Sequence, residues 1–342
     1  MLLTLSLFFL SAAIIYLACE YFVNGVEWVG HRFQLGATAT GTVLAAFGTA
    51  LPESAVTFMA VVFGTTPEQK DIGVGAAMGG PLVLATLAYA VVGLALWNRC
   101  RAAAPRAESG RAAAAMTIKA DQGRLARDQA WFMGIFVLKV ALGLLAFAWK
   151  PWLGILFLLV YALYVKRELA NDDDSIEQDD LEPLKLRPRD PDPSMFWACA
   201  QTVMALVVIA VASRVFVQQI EALGMAMGAS AHVAALLLAP VATELPEILN
   251  ALIWVRQGKE RLALANISGA MMIQATIPSA LGIFLTPWLL DEPLRAAGVF
   301  TLIAISVLWL RLRRGTMTVG GLASVGAFYV LFALYLAWHF YA

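Results

Sequence analysis

Two glutamates, Glu53 and Glu247, each follow a Leu-Pro pair within an apolar stretch, and each has a threonine four residues upstream, Thr49 and Thr243. An ionised carboxylate in hydrocarbon costs roughly 2.5 kcal/mol or more, so a membrane segment seldom keeps one without a role. Proline has no N–H, so Pro52 and Pro246 release the carbonyls four residues earlier, those of Gly48 and Ala242. A freed carbonyl, a hydroxyl and a carboxylate within one helical turn are the hard oxygen ligands that calcium and sodium prefer. A kinked helix holding a neutral glutamate would explain one such motif, but two copies weigh against it.

Glu244 adds a third acid, three residues before Glu247 and on the same face if the helix is continuous. Three neighbouring carboxylates exceed the charge of one divalent ion, so a proton or a second cation is expected with it. A salt bridge from Glu244 to the intramembrane Lys139 is the alternative account. Gln274, Asn266 and Asn250 are placed to offer further oxygens.

These acids need helices to carry them. The 342 residues are 61% hydrophobic and 14% charged, far from the quarter expected of a soluble domain. Apolar runs of about 20 residues cross a bilayer as helices. Hydropathy predicts an all-α polytopic membrane protein of about ten helices, near 2–24, 38–63, 71–97, 130–149, 151–168, 195–217, 231–255, 261–286, 295–311 and 318–341. The first run has no cationic start and no small-residue cleavage site, and reads as a retained helix.

Residues 44–53 align with 238–247 at an offset of 194, with six of ten positions identical. Phe22, Val23, Glu27 and Gly30 pair with Phe216, Val217, Glu221 and Gly224, and Gly79 pairs with Gly269. This predicts a duplication: a first five-helix repeat over 1–168, an acidic linker over 169–194, and a second repeat over 195–342. An odd number of helices separates the motifs, so the repeats are inverted and bring Glu53 and Glu247 to the midplane from opposite sides.

The loops on one side hold 19 lysines and arginines and those on the other hold four. The basic loops and the acidic linker are therefore expected in the cytoplasm, with both termini outside an inner or plasma membrane. The basic loop 99–127 is expected to include a short surface helix. The acidic run Asp172–Asp180 lacks the glycine of a calcium loop and reads as solvated linker.

Several classes are excluded. A formal net charge of zero gives no footprint for nucleic acid. Three unpaired cysteines and three scattered histidines suggest neither a disulfide frame nor a zinc site. There is no phosphate-binding loop for an ATP-driven pump, and no catalytic set for an intramembrane enzyme. No cofactor is expected; the partners are inorganic cations and lipid, and the sequence leaves the oligomeric state open. A cation channel, or an antiporter for another mono- or divalent ion, is the remaining alternative to a calcium antiporter.

The motif Gly48-Thr49-Ala50-Leu51-Pro52-Glu53 resembles the first signature of the sodium/calcium exchanger superfamily, and Ala242-Thr243-Glu244-Leu245-Pro246-Glu247 resembles the second. The family pattern is Gly-Thr-Ser-Leu-Pro-Glu followed by a Gly-Asn-x-x-Gly-Ser-Asn helix. The resemblance spans nearly the whole chain. It implies antiport by alternating access, with calcium and sodium or proton sites at Glu53, Glu247, Gly48, Thr49, Ala242 and Thr243. It also implies that the first and sixth helices slide across the core. The following helices depart from the pattern, since residues 75–81 lack both asparagines and the serine. An acid or amide of the family site falls at Leu84 in the first repeat and Gln274 in the second.

Overall fold

The computed structural model describes residues 2–32, 37–103, 118, 120–170, 182–228, 230–256, 258 and 260–341. Most of the predicted 99–127 loop helix and all of Asp172–Asp180 lie outside them. Thirteen α-helices are described: α1 (Leu2–Arg32), α2 (Ala37–Phe63), α3 (Pro67–Val83), α4 (Tyr89–Ala103), α5 (Gln122–Gly143), α6 (Gly154–Ala170) and α7 (Met195–Met227). These are followed by α8 (Ala231–Thr243), α9 (Leu245–Arg256), α10 (Glu260–Leu285), α11 (Glu292–Arg313), α12 (Val319–Ser324) and α13 (Gly326–Tyr341). Together they form ten spans in two five-span repeats, because α3 and α4, α8 and α9, and α12 and α13 each make one span. Among the described residues, six helices are long and apolar enough to cross a bilayer by themselves.

Local chemistry moves several of the expected ends. Asp121 caps α5, its carboxylate accepting from the N–H groups of Gly123 and Arg124, so this helix starts earlier than the hydropathy rise at 130. The α7 helix runs ten residues past its expected end at 217 and stops where Gly228 takes φ +65°, a left-handed cap that glycine adopts without strain. One π-helical turn, Leu84–Ala88, joins α3 to α4.

The longest side-by-side packing joins α1 to α7, the first helix of each repeat. Phe8 stacks on Phe216 at 4.8 Å, and the Gln201 amide donates to the Tyr21 carbonyl at 2.8 Å and to Asn24 at 2.9 Å. The end of the linker is strapped to this pair: Trp28 donates to the Glu182 carbonyl at 2.9 Å and Lys185 meets Glu20 at 3.1 Å. On the far side of α7, Val203, Val207 and Val211 are exposed, as a lipid-facing stripe requires.

The centre is built differently. The α3 helix of the first repeat lies against α8 of the second at backbone distance, because Gly75 and Gly79 present no Cβ. A methyl group there would stand 2.3 Å from the His232 carbonyl or 2.6 Å from the Leu236 carbonyl. At the end of this contact His232 reaches Asp71 of α3 at 3.2 Å and Asp291, which caps α11, at 3.6 Å. Small residues therefore lock the two repeats together where the acids meet.

Candidate functional site

The first acid rides on an unbroken helix. The α2 helix passes through Pro52 without interruption and delivers Glu53, which is 1% exposed, into the protein. The second motif breaks its helix: α8 ends at Thr243, Glu244 takes φ −95° and ψ −11°, and α9 begins at Leu245. This corrects the expectation of one continuous helix over 231–255 with Glu244 and Glu247 on a common face. Two prolines within seven residues explain the break, since Pro240 and Pro246 each remove an intrahelical donor. Glu244 sits at the gap, its N–H bonded to the Pro240 carbonyl at 3.0 Å and its own carbonyl accepting from Ile248 at 3.1 Å.

Across this gap the two repeats touch. The Thr243 hydroxyl lies 2.7 Å from Glu53 Oε2, 3.3 Å from Glu244 Oε1 and 3.1 Å from the Ala239 carbonyl, three acceptors for one proton. The Gln274 amide nitrogen lies 2.8 Å from both carboxylate oxygens of Glu244. Glu244 and Glu247 are fully buried, and the charges of all three acids act on one another.

Several of these buried oxygens have no donor. Among the described residues, Glu53 Oε1, both oxygens of Glu247, the Gln274 carbonyl oxygen and the Thr57 hydroxyl make no hydrogen bond. Buried polar atoms are nearly always paired, and each exception calls for a physical reason. A set of orphaned acceptors from three helices is what a cation needs. No three acidic, histidine or cysteine side chains among the described residues close into a chelate by themselves. A bound ion would therefore combine carboxylate with hydroxyl, amide and carbonyl oxygens, the mixture calcium takes.

The residues singled out from sequence thus fall into groups. Glu53, Thr243, Glu244 and Gln274 are joined by hydrogen bonds, with Glu247 in electrostatic reach and its carboxylate free. Gln274 does more than offer oxygen, since its nitrogen orients Glu244. Gly48 and Thr49 lie on α2 and Ala242 on α8, but their side chains fall outside the described residues. The alternative bridge from Glu244 to Lys139 does not form: Lys139 Nζ donates instead to the Ala77 carbonyl at 2.6 Å.

Two site residues escaped the sequence reading. Thr57 stands one turn after Glu53 on the same face, and it has no counterpart in the second motif, where position 251 is alanine. Gly80 has no side chain to signal a role. A Cβ there would meet Gln274 Oε1 at 2.6 Å and Glu244 Oε1 at 3.1 Å, so its bareness makes room for the polar cluster.

Comparison with known proteins follows the same lines. A family model described as sodium/calcium exchanger protein matches residues 3–167 and 197–341. The inner membrane protein YrbG of Escherichia coli K12 is 24% identical over 312 residues, 90% of this chain and 88% of its own. The crystal structure of the H+/Ca2+ exchanger CAX superposes with a TM-score of 0.73 at 15% identity, covering 98% of this chain and 82% of that one. The sodium-calcium exchanger NCX_Mj superposes with a TM-score of 0.56 at 19% identity, covering 98% of each. At such identities the structural likeness establishes the fold.

Proposed function

The chain belongs to the sodium/calcium exchanger protein family, and from that premise we propose that it is a secondary active antiporter exchanging calcium against sodium or protons. The observation that carries this reading is the set of wholly buried, donor-free carboxylate oxygens on Glu53 and Glu247, brought together from the two repeats. A carboxylate withdrawn from water with no partner is costly, and a divalent cation between the repeats offsets that cost.

Glu53 and Glu247 bind the ion. Thr243 and Thr57 supply hydroxyls, Gly48, Thr49 and Ala242 add oxygens around the proline-freed turns, and Glu244, held by Gln274, balances charge. The α1–α7 pair slides over the glycine-locked centre to open the site to one side and then the other. Repeats over 1–168 and 195–342, joined by the acidic linker, would sit in an inner membrane with the basic loops inside and both termini outside.

The test is calcium uptake into proteoliposomes holding purified protein, under a sodium gradient or a proton gradient imposed separately. Uptake driven by one gradient and abolished by Glu53→Gln is the expected result and names the coupling ion. Uptake under neither gradient would sink calcium antiport, and flux that no gradient drives uphill would indicate a channel.

A further inference from the structure

Lys139 is a lysine buried inside a membrane protein with no carboxylate in salt-bridge reach among the described residues. It is wholly inaccessible. Among the described residues its hydrogen bond goes to the backbone carbonyl of Ala77 in α3. Inside a helix that carbonyl would accept the N–H four residues later, but position 81 is proline, which has none. Proline thus frees a carbonyl here as Pro52 and Pro246 do in the two motifs, and the ammonium has taken the place of an ion.

The rest of the setting is that of a bound cation. The faces of Phe136 and Trp288 lie 5.1 and 5.9 Å from the ammonium, where ring quadrupoles attract positive charge. Trp288 is fixed in turn: its indole N–H donates to the Lys139 carbonyl at 3.1 Å, and its ring fills the space that Gly282 leaves without a Cβ. Ala77 lies one turn before Gly80 on α3, and Gly80 faces Gln274 and Glu244, so the ammonium rests on the helix that borders the acid cluster.

We infer that Lys139 is a tethered cation of the transport site, occupying the position and supplying the charge of one monovalent ion that would otherwise accompany the divalent substrate. The inference rests on the reading of Glu53, Glu244 and Glu247 as the substrate acids. Three carboxylates and one ammonium leave two negative charges, which one divalent ion cancels with no companion. Without the lysine a third negative charge stays buried, and a sodium ion or another small monovalent cation must enter to balance it. Because Lys139 rests on a carbonyl and not on an acid, it contributes charge without occupying a substrate oxygen.

The experiment is calorimetric titration of calcium into the purified full chain at neutral pH, in choline buffer and then with added sodium. For the wild type, sodium is expected to leave calcium affinity unchanged or to weaken it by competition. Lys139→Met is expected to bind calcium poorly in choline and to recover at least tenfold as sodium is added, while Lys139→Arg behaves as wild type. Wild-type affinity of Lys139→Met in choline would overturn the inference. So would a loss that no sodium, lithium or potassium repairs in a variant whose helical melting is intact.

If Lys139→Met does not fold, Lys139→Gln carries the test by keeping a donor for the Ala77 carbonyl while removing the charge. The inference then requires a new sodium enhancement, and unchanged binding overturns it. Calcium that binds as described but is never exchanged in vesicles would overturn the antiport reading alone. Exchange by Lys139→Met with unaltered monovalent dependence would overturn the tethered cation alone.

Discussion

The two repeats carry the same Leu-Pro-Glu motif and use it differently. In the first, α2 absorbs Pro52 and stays continuous, presenting one acid, Glu53, on a rigid rod. In the second, Pro240 joins Pro246 and the helix parts at Glu244, which sits at the gap, with Glu247 in the first turn of the helix that follows. The following helices diverge in the opposite sense. The second repeat places Gln274 where the first has the apolar Leu84, while the first places a proline-freed carbonyl beneath Lys139. The second repeat thus carries two of the three buried acids on an interrupted helix, and the first carries one acid on an unbroken helix together with the buried Lys139.

The strongest way to break this comparison is to neutralise each motif acid in turn. Glu53→Gln and Glu247→Gln should each weaken calcium binding by about 3 kcal/mol, more than a hundredfold. Calorimetry reads this directly, and a large effect from only one of them would show that the repeats do not share the ion. The calcium-dependent rise in melting temperature seen in wild type should vanish in the same variants.

Next in size, Gln274→Leu gives the second repeat the residue of the first. It removes both amide contacts to Glu244 and should cost about 2 kcal/mol of binding. Adding Leu84→Gln should regain at least half of that loss if the two positions face a common site, and no regain would separate them. Gly80→Ala pushes a methyl into Gln274 and Glu244. Calcium affinity should fall about fivefold, roughly 1 kcal/mol, while thermal stability changes little, since the atoms that must move are side-chain ends.

The smallest effect is expected at Thr57, which has no counterpart in the second repeat. Thr57→Val deletes a buried hydroxyl that has no partner, so the ion-free protein should melt slightly higher. Calcium affinity should drop two- to fourfold in the same variant. Opposite signs in these two measurements would mark the hydroxyl as a ligand, and equal signs would mark it as packing.

Much of this was legible from the chain alone, for a physical reason. Bilayer thickness converts apolar length into spans, and an acid beside proline in such a span stands out against its surroundings, so the ten spans, the inversion and Glu53, Glu244 and Glu247 could be read directly. The break at Glu244 is harder to read, because Pro246 alone only frees a carbonyl and the interruption comes from Pro240 acting with it. Lys139 drew attention as a charge within a helix, but its partner, the Ala77 carbonyl, carries no sequence signal beyond a proline four residues on. Gly80 was hidden among neighbouring glycines, all of which favour close packing, and only the distance to Gln274 distinguishes it.

The hydrogen bond between Thr243 and Glu53 joins residues 190 positions apart. It therefore imposes a schedule on biosynthesis. Translation at roughly 5–20 residues per second separates the two by about 10–40 s. Throughout that interval the first five spans hold a midplane acid whose hydroxyl partner has not yet been made. The early half must stay shielded by the insertion machinery until the seventh span arrives. Splitting the gene between the repeats, or slowing translation through the linker, should then lower the yield of assembled protein without altering any residue of the site.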